Sequence, residues 1–159
     1  MTTRQTIEQW TADQAMDLIQ NYDRLGLRAS GKFAKDLETK VEEQGTKWTI
    51  TFLGSKHSQF MVAGRGANKN QDKDSIKAFV GWAGSTFLKQ WVQDKGLNVS
   101  PFAVAYKIAR KGINVPNSFN TGTLLSDVFT PEKLDELLRS ISMTIIGDVR
   151  TDIKKLIEA

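Results

Sequence analysis

Side chains able to do chemistry are sparse in this chain. It has one histidine, His57, set in Gly54-Ser55-Lys56-His57-Ser58, and no cysteine among 159 residues. Without cysteine there is no thiol nucleophile, no thiolate metal site and no disulfide framework. A zinc site would rest on one imidazole plus carboxylates, and no carboxylates stand at ligand spacing around His57. A Ser–His–acid triad can draw its members from distant positions, but no nucleophile-elbow motif is present. His57 is therefore expected at the surface or in a turn, and neither a metal nor a cofactor is expected. The pairs Glu42-Glu43 and Asp135-Glu136 fall on polar faces of the elements predicted below, so solvated charge is their plain reading.

Gly64-Arg65-Gly66 with Lys69 looks like a fragment of a phosphate-cradling loop. It lacks the spacing that ends in Gly-Lys-Ser/Thr, and it lacks the third glycine of the dinucleotide fingerprint. A contact loop using Arg65 is the better expectation. The tryptophans Trp10, Trp48, Trp82 and Trp91 each lie on or near an apolar face, so core packing is their ordinary reading. Exposure at an assembly interface is the alternative, because Trp and Arg are over-represented among interface anchors.

Composition narrows the classes. Apolar residues make up 40% and charged residues 25% of the chain, a globular balance in a length that suits one domain, residues 1–159. The net charge is +4 and the pI about 9.3. The 22 Lys and Arg are interleaved with 18 acidic residues rather than gathered in one stripe. No apolar run approaches the roughly 18 residues of a membrane span, so no membrane partner is expected. Glu8, Asp13 and Asp17 interrupt the N-terminal segment, which does not read as a signal peptide.

The elements that position these residues can be read from periodicity. Ile7, Trp10, Ala15, Leu18, Ile19, Tyr22 and Leu25 recur at helical spacing, with Gly26 as a stop. Two alternating runs, residues 37–42 and 47–53, flank Gln44-Gly45 and predict an antiparallel hairpin with Trp48, Ile50 and Phe52 under a helix. Residues 58–63 fit a short helix or a third strand equally well. Residues 64–73 are polar and predict an exposed, mobile loop. A helix follows, capped by Asp74 or Ser75 and weakened near Gly81 and Gly84, with Gly96 closing it. Ser100-Pro101 opens another helix with the face Phe102, Ala105 and Ile108 or Ala109, ending in Lys107, Arg110, Lys111 and Gly112. Residues 113–123 predict a loop. From Thr130-Pro131 one long amphipathic helix carries Leu134, Leu137, Leu138, Ile141, Ile145, Val149, Ile153, Leu156 and Ile157, although residues 142–146 also suit a strand. The fold class is α+β: a small antiparallel sheet packed against about four helices, with a long C-terminal helix.

Taken in order, these segments resemble a known family. They are Ala29-Ser30-Gly31-Lys32-Phe33-Ala34-Lys35-Asp36-Leu37, the Trp-containing hairpin, and Ser58-Gln59-Phe60-Met61-Val62-Ala63-Gly64-Arg65-Gly66. The helix ending in Lys95-Gly96-Leu97 follows, then Phe102-Ala103-Val104-Ala105-Tyr106-Lys107-Ile108-Ala109-Arg110-Lys111-Gly112 and the C-terminal helix. Over roughly residues 5–157 this resembles the small neck proteins of tailed bacteriophages, the head–tail connector and tail-completion group. Phe60 and Ala63 stand where Tyr and Glu are common in that group, and Ala67-Asn68-Lys69 replaces a proline-rich stretch. The resemblance implies a virion protein made in the host cytoplasm and assembled as a homo-oligomeric ring among other neck, portal or tail proteins. It implies no catalytic role and no small-molecule substrate, and DNA would pass through the ring's lumen.

The expected interface comprises Gly64, Arg65, Gly66 and Lys69 in the loop, then Trp82, Trp91, Phe119 and Asn120. A small basic DNA-binding module is the alternative; it requires Lys107, Arg110 and Lys111, with Arg65 and Lys69, to share one face. A hydrolase built on His57 is a further reading, which requires a partnered acid and a pocket.

Overall fold

The computed structural model describes residues 1–55 and 58–158, so the expectation for His57 lies outside the described residues. The fold is α+β, a two-stranded antiparallel sheet packed against helices with a long helix at the C-terminus. In chain order the elements are α1 (Thr3–Arg24), α2 (Lys32–Asp36), β1 (Glu38–Gln44) and β2 (Lys47–Leu53). Then come α3 (Ser58–Ala63), α4 (Lys73–Ser85), α5 (Phe87–Asp94), α6 (Pro101–Lys111) and α7 (Pro131–Glu158).

α1 starts at a reciprocal cap: Thr2 Oγ1 accepts from the Gln5 amide while Gln5 Oε1 accepts from the Thr2 amide, which satisfies two otherwise orphaned donors. Its buried face is Ile7, Thr11, Gln14, Leu18 and Tyr22, one residue per turn. Trp10, expected to be buried here, is half-buried, and its indole N–H donates to the Lys133 carbonyl on α7 at 3.2 Å. The hairpin has the predicted face, with Val41 opposite Ile50 and Thr39 opposite Phe52. Phe52 meets Phe129 edge-on at 5.0 Å, while Trp48 is half-buried with the Arg4 guanidinium 6.0 Å above its ring. Residues 58–63 are helical, which resolves the ambiguity of that segment.

The cap of α4 is Asp72, two or three residues ahead of the expected positions. Its Oδ1 accepts from the amides of Asp74 and Ser75 at 3.1 and 2.8 Å. The helix passes both glycines and breaks at Thr86, where φ −112° and ψ −111° leave the helical region and α5 begins. α6 begins at Pro101 as expected, although the Ser100 side chain makes no capping hydrogen bond; proline's fixed φ alone suits the first turn. α7 is one unbroken helix of 28 residues, so the strand alternative at residues 142–146 is not taken.

Two clusters of buried side chains hold the chain together. Leu18, Tyr22, Phe33, Leu124 and Val128 tie α1 and α2 to the turns before α7. Ala83, Leu88, Ala105 and Ile108 join α4, α5 and α6. Lys95, past the end of α5, donates its ammonium to the Gly26 carbonyl just beyond α1, linking the two regions; burial lowers its pKa. α1 and α7 run antiparallel, since Thr6 meets Thr144 and Asp17 meets Lys133.

Candidate interaction surface

The Gly64-Arg65-Gly66 segment is a seam. Arg65 and Ile113 exchange both backbone hydrogen bonds, at 2.8 and 2.6 Å, and the Asn68 amide donates to the Ala109 carbonyl at 2.9 Å. Gly64 (φ +73°) and Gly112 (φ +73°) sit diagonally across this bridge. A Cβ on Gly64 would strike the Ile113 carbonyl oxygen, and one on Gly112 the Arg65 carbonyl oxygen. Glycine is required at both positions because two backbones meet without room for a side chain. Gly66 has open space around it.

Arg65 is held in place from two directions. Its guanidinium lies 4.6 Å from the Phe79 ring centroid, and Nη2 donates to Asn68 Oδ1 at 2.8 Å. Its Nη1 is buried without a hydrogen-bond partner among the described residues. The first part of the expected mobile loop is therefore pinned to α6, because its backbone groups bond to residues 109–113 rather than to solvent. Lys69 is exposed.

Phe79 carries the seam into an aromatic run. It meets Trp82 edge-on at 6.1 Å, and Trp82 meets Phe87 edge-on at 5.4 Å. Trp91 follows Phe87 by four residues on α5, hence on the same face. Trp82 is 60% and Trp91 37% exposed, which corrects the core reading of both. On α4 the buried residues are Ile76, Ala83 and Gly84, and on α5 Leu88 and Val92, so Trp82 and the Phe87 and Trp91 face look outward. Of the expected interface residues, Arg65, Trp82 and Trp91 are thus brought along one surface.

Phe119 and Asn120 lie elsewhere. Asn117 and Asn120 close a tight turn by exchanging backbone hydrogen bonds at 2.7 and 3.2 Å. Asn120 Nδ2 donates to the Met61 carbonyl and its Oδ1 accepts from the Gly122 amide. Asn120 is therefore a tie within the chain, while Phe119 at the tip is 89% exposed.

The basic residues only partly converge. Arg110 reaches the Gln71 backbone and side chain, both at 3.5 Å, which brings residues 68–71 to the end of α6 beside Lys111. The acidic Asp72 and Asp74 stand next to them. Among the described residues, no group of three or more His, Asp or Glu is placed to hold a metal ion, and no helix is long and apolar enough to cross a membrane.

A long apolar surface runs along α7. Of α7, only Leu137 is buried, and every residue from 145 to 158 is exposed. α7 carries apolar residues around more of its circumference than α1 alone can cover. That width was a legible signal in the sequence. Comparison with protein-family models, with curated proteins and with solved structures finds no match to this chain.

Proposed function

We propose that this is a structural protein that acts by assembling with other proteins, as a ring component of the neck of a tailed bacteriophage. One observation carries the assembly reading: large apolar side chains stand in solvent along α7 and across Trp82, Phe87 and Trp91. Monomeric soluble proteins rarely expose contiguous apolar patches beyond a few hundred Å², and larger ones mark interaction sites. The resemblance of the segment order to that of neck proteins suggests the finer assignment. The test is mass spectrometry of purified virions of the phage whose genome encodes this chain, with reconstruction of the portal–tail junction. A ring whose density fits these 159 residues is expected. A junction fully accounted for by other chains, with this one absent from the virion, would refute the neck assignment.

The approach of Arg110, next to Lys111 in sequence, to Gln71 supports a second reading, a DNA-binding module. Binding of duplex DNA in gel shifts would then weaken steeply between about 50 and 200 mM salt, and Arg110→Ala with Lys111→Ala would flatten that slope. No shift at low salt removes this reading.

A further inference from the structure

α7 is about 42 Å long, while α1 covers it only in part. Thr6 stands against Thr144 and Asp17 against Lys133, so Thr3, the first helical residue of α1, comes level with residue 147, and about three turns of α7 extend past it. A helical segment this short has little intrinsic stability in water and holds best with a packing partner. Yet this end is the most apolar-exposed part of the helix: Leu156 and Ile157 are 80% and 79% exposed.

The uncovered apolar residues form one band. At about 100° per residue, Leu134, Leu138, Ile145, Val149 and Leu156 fall within roughly 60° of one another. Ile153, Ile146 and Ile157 widen the band to about 140°, well beyond the narrow seam of a two-stranded coiled coil. Thr144 and Leu137, which look toward α1, lie to one side of it. The band leaves on the order of 900 Å² in solvent, more than the largest apolar patch of an ordinary monomer.

Past the end of α1 its borders carry opposite charges. Asp148 and Asp152 line one border, with Lys155 at its outer edge paired to Asp152 at 3.3 Å. Arg150 and Lys154 line the other, while nearer the start of α7 Glu132 and Glu136 accompany Arg139 and Asp135 falls within the band. In an antiparallel two-fold pair each border meets its own copy, acid against acid. In a parallel arrangement the basic border of one helix meets the aspartate border of the next.

We propose that α7 is a self-association helix, packing parallel and side by side against α7 of two neighbouring copies in a closed ring of three or more chains. This rests on the assembly reading above and names its partner as a second copy of the same chain. The band's width gives each helix two neighbours, and its opposite borders make the contact head-to-tail in the sense that closes rings.

The test uses the full chain in sedimentation velocity. Wild type is expected at three copies or more of 17.8 kDa, and Val149→Glu with Ile153→Glu at 17.8 kDa with unchanged far-UV circular dichroism. Reversing one border (Asp148→Arg, Asp152→Arg) or the other (Arg150→Asp, Lys154→Asp) yields monomers, and mixing the two variants restores the large species. The absence of native cysteine allows an independent check. Under oxidation, Leu138→Cys and Ile153→Cys each cross-link to themselves in a parallel ring, whereas antiparallel pairing links only one variant to the other. A wild-type chain that stays monomeric up to about 500 µM overturns the proposal, as does cross-linking only between the two variants. An oligomer indifferent to Val149→Glu with Ile153→Glu overturns it too, while leaving the assembly reading intact. A chain absent from virions would remove the neck reading without touching α7 pairing in solution.

Discussion

Replacing Gly112 by alanine tests whether the Gly64–Gly66 segment is a structural seam. Gly112 has φ +73° and ψ −164°, a region that residues with a Cβ avoid at about 1–3 kcal/mol. The added Cβ would also meet the Ala67 nitrogen and the Gly66 carbonyl carbon, each at 2.8 Å, besides the Arg65 carbonyl oxygen. All are backbone atoms, so relief requires the two strands to separate, breaking hydrogen bonds of 2.8 and 2.6 Å worth about 0.5–1.5 kcal/mol each. Together these predict a loss of about 3–5 kcal/mol for Gly112→Ala, and a comparable loss for Gly64→Ala. Urea unfolding followed by tryptophan fluorescence and far-UV circular dichroism would read this as a midpoint lowered by about 2 M, at a slope near 2 kcal/mol/M. Two glycines serve as controls, since nothing lies within 4 Å of a Cβ at either. Gly66→Ala should change stability by less than about 0.5 kcal/mol. Gly81→Ala, inside α4, should raise it by up to about 1 kcal/mol. A loss under about 1 kcal/mol for Gly112→Ala, or an equal loss for Gly66→Ala, refutes the seam.

Three further outcomes follow from the packing and the caps. Leu124 is 1% exposed at the centre of the α1 cluster, so Leu124→Ala should cost about 2–5 kcal/mol in the same urea experiment. Trp82→Ala, at an exposed site, should cost under about 1 kcal/mol, against the 3–5 kcal/mol typical of a core tryptophan. The hydrogen bonds that Asp72 accepts from Ser75 and Asp74 hold its carboxyl below the usual carboxylate range. A carboxylate lowered in the folded state contributes stability above its unfolded pKa, and that contribution disappears as pH falls through the folded value. Amide exchange at residues 74–76 should therefore accelerate selectively below about pH 4, and Asp72→Asn should flatten the dependence by keeping an uncharged cap.

Local chemistry was legible in the residues themselves. The hairpin face, the stop at Gly26, the helix opening at Pro101 and the long helix from Pro131 follow from alternation, glycine and proline, which act within a few residues. Periodicity also marked α7 as amphipathic. What it could not say was how many partners that amphipathic surface has. An apolar stripe looks the same whether it meets a neighbouring helix of its own chain or solvent, and Ile145, Val149 and Ile153 turn out to be about half exposed. Only the antiparallel docking of α1, which lies to one side of the band and ends level with residue 147, leaves them uncovered. The same holds for the aromatic run. Trp82 and Trp91 lie outside because α4 and α5 turn Ile76, Ala83, Leu88 and Val92 inward instead, a choice made by packing. The Gly-Arg-Gly segment shows the reverse case. Its composition suggested an open loop, yet its Gly64 serves a close backbone contact with residue 113, nearly fifty positions away. Contacts between residues so distant in sequence leave no periodic trace; they exist only once the chain has folded.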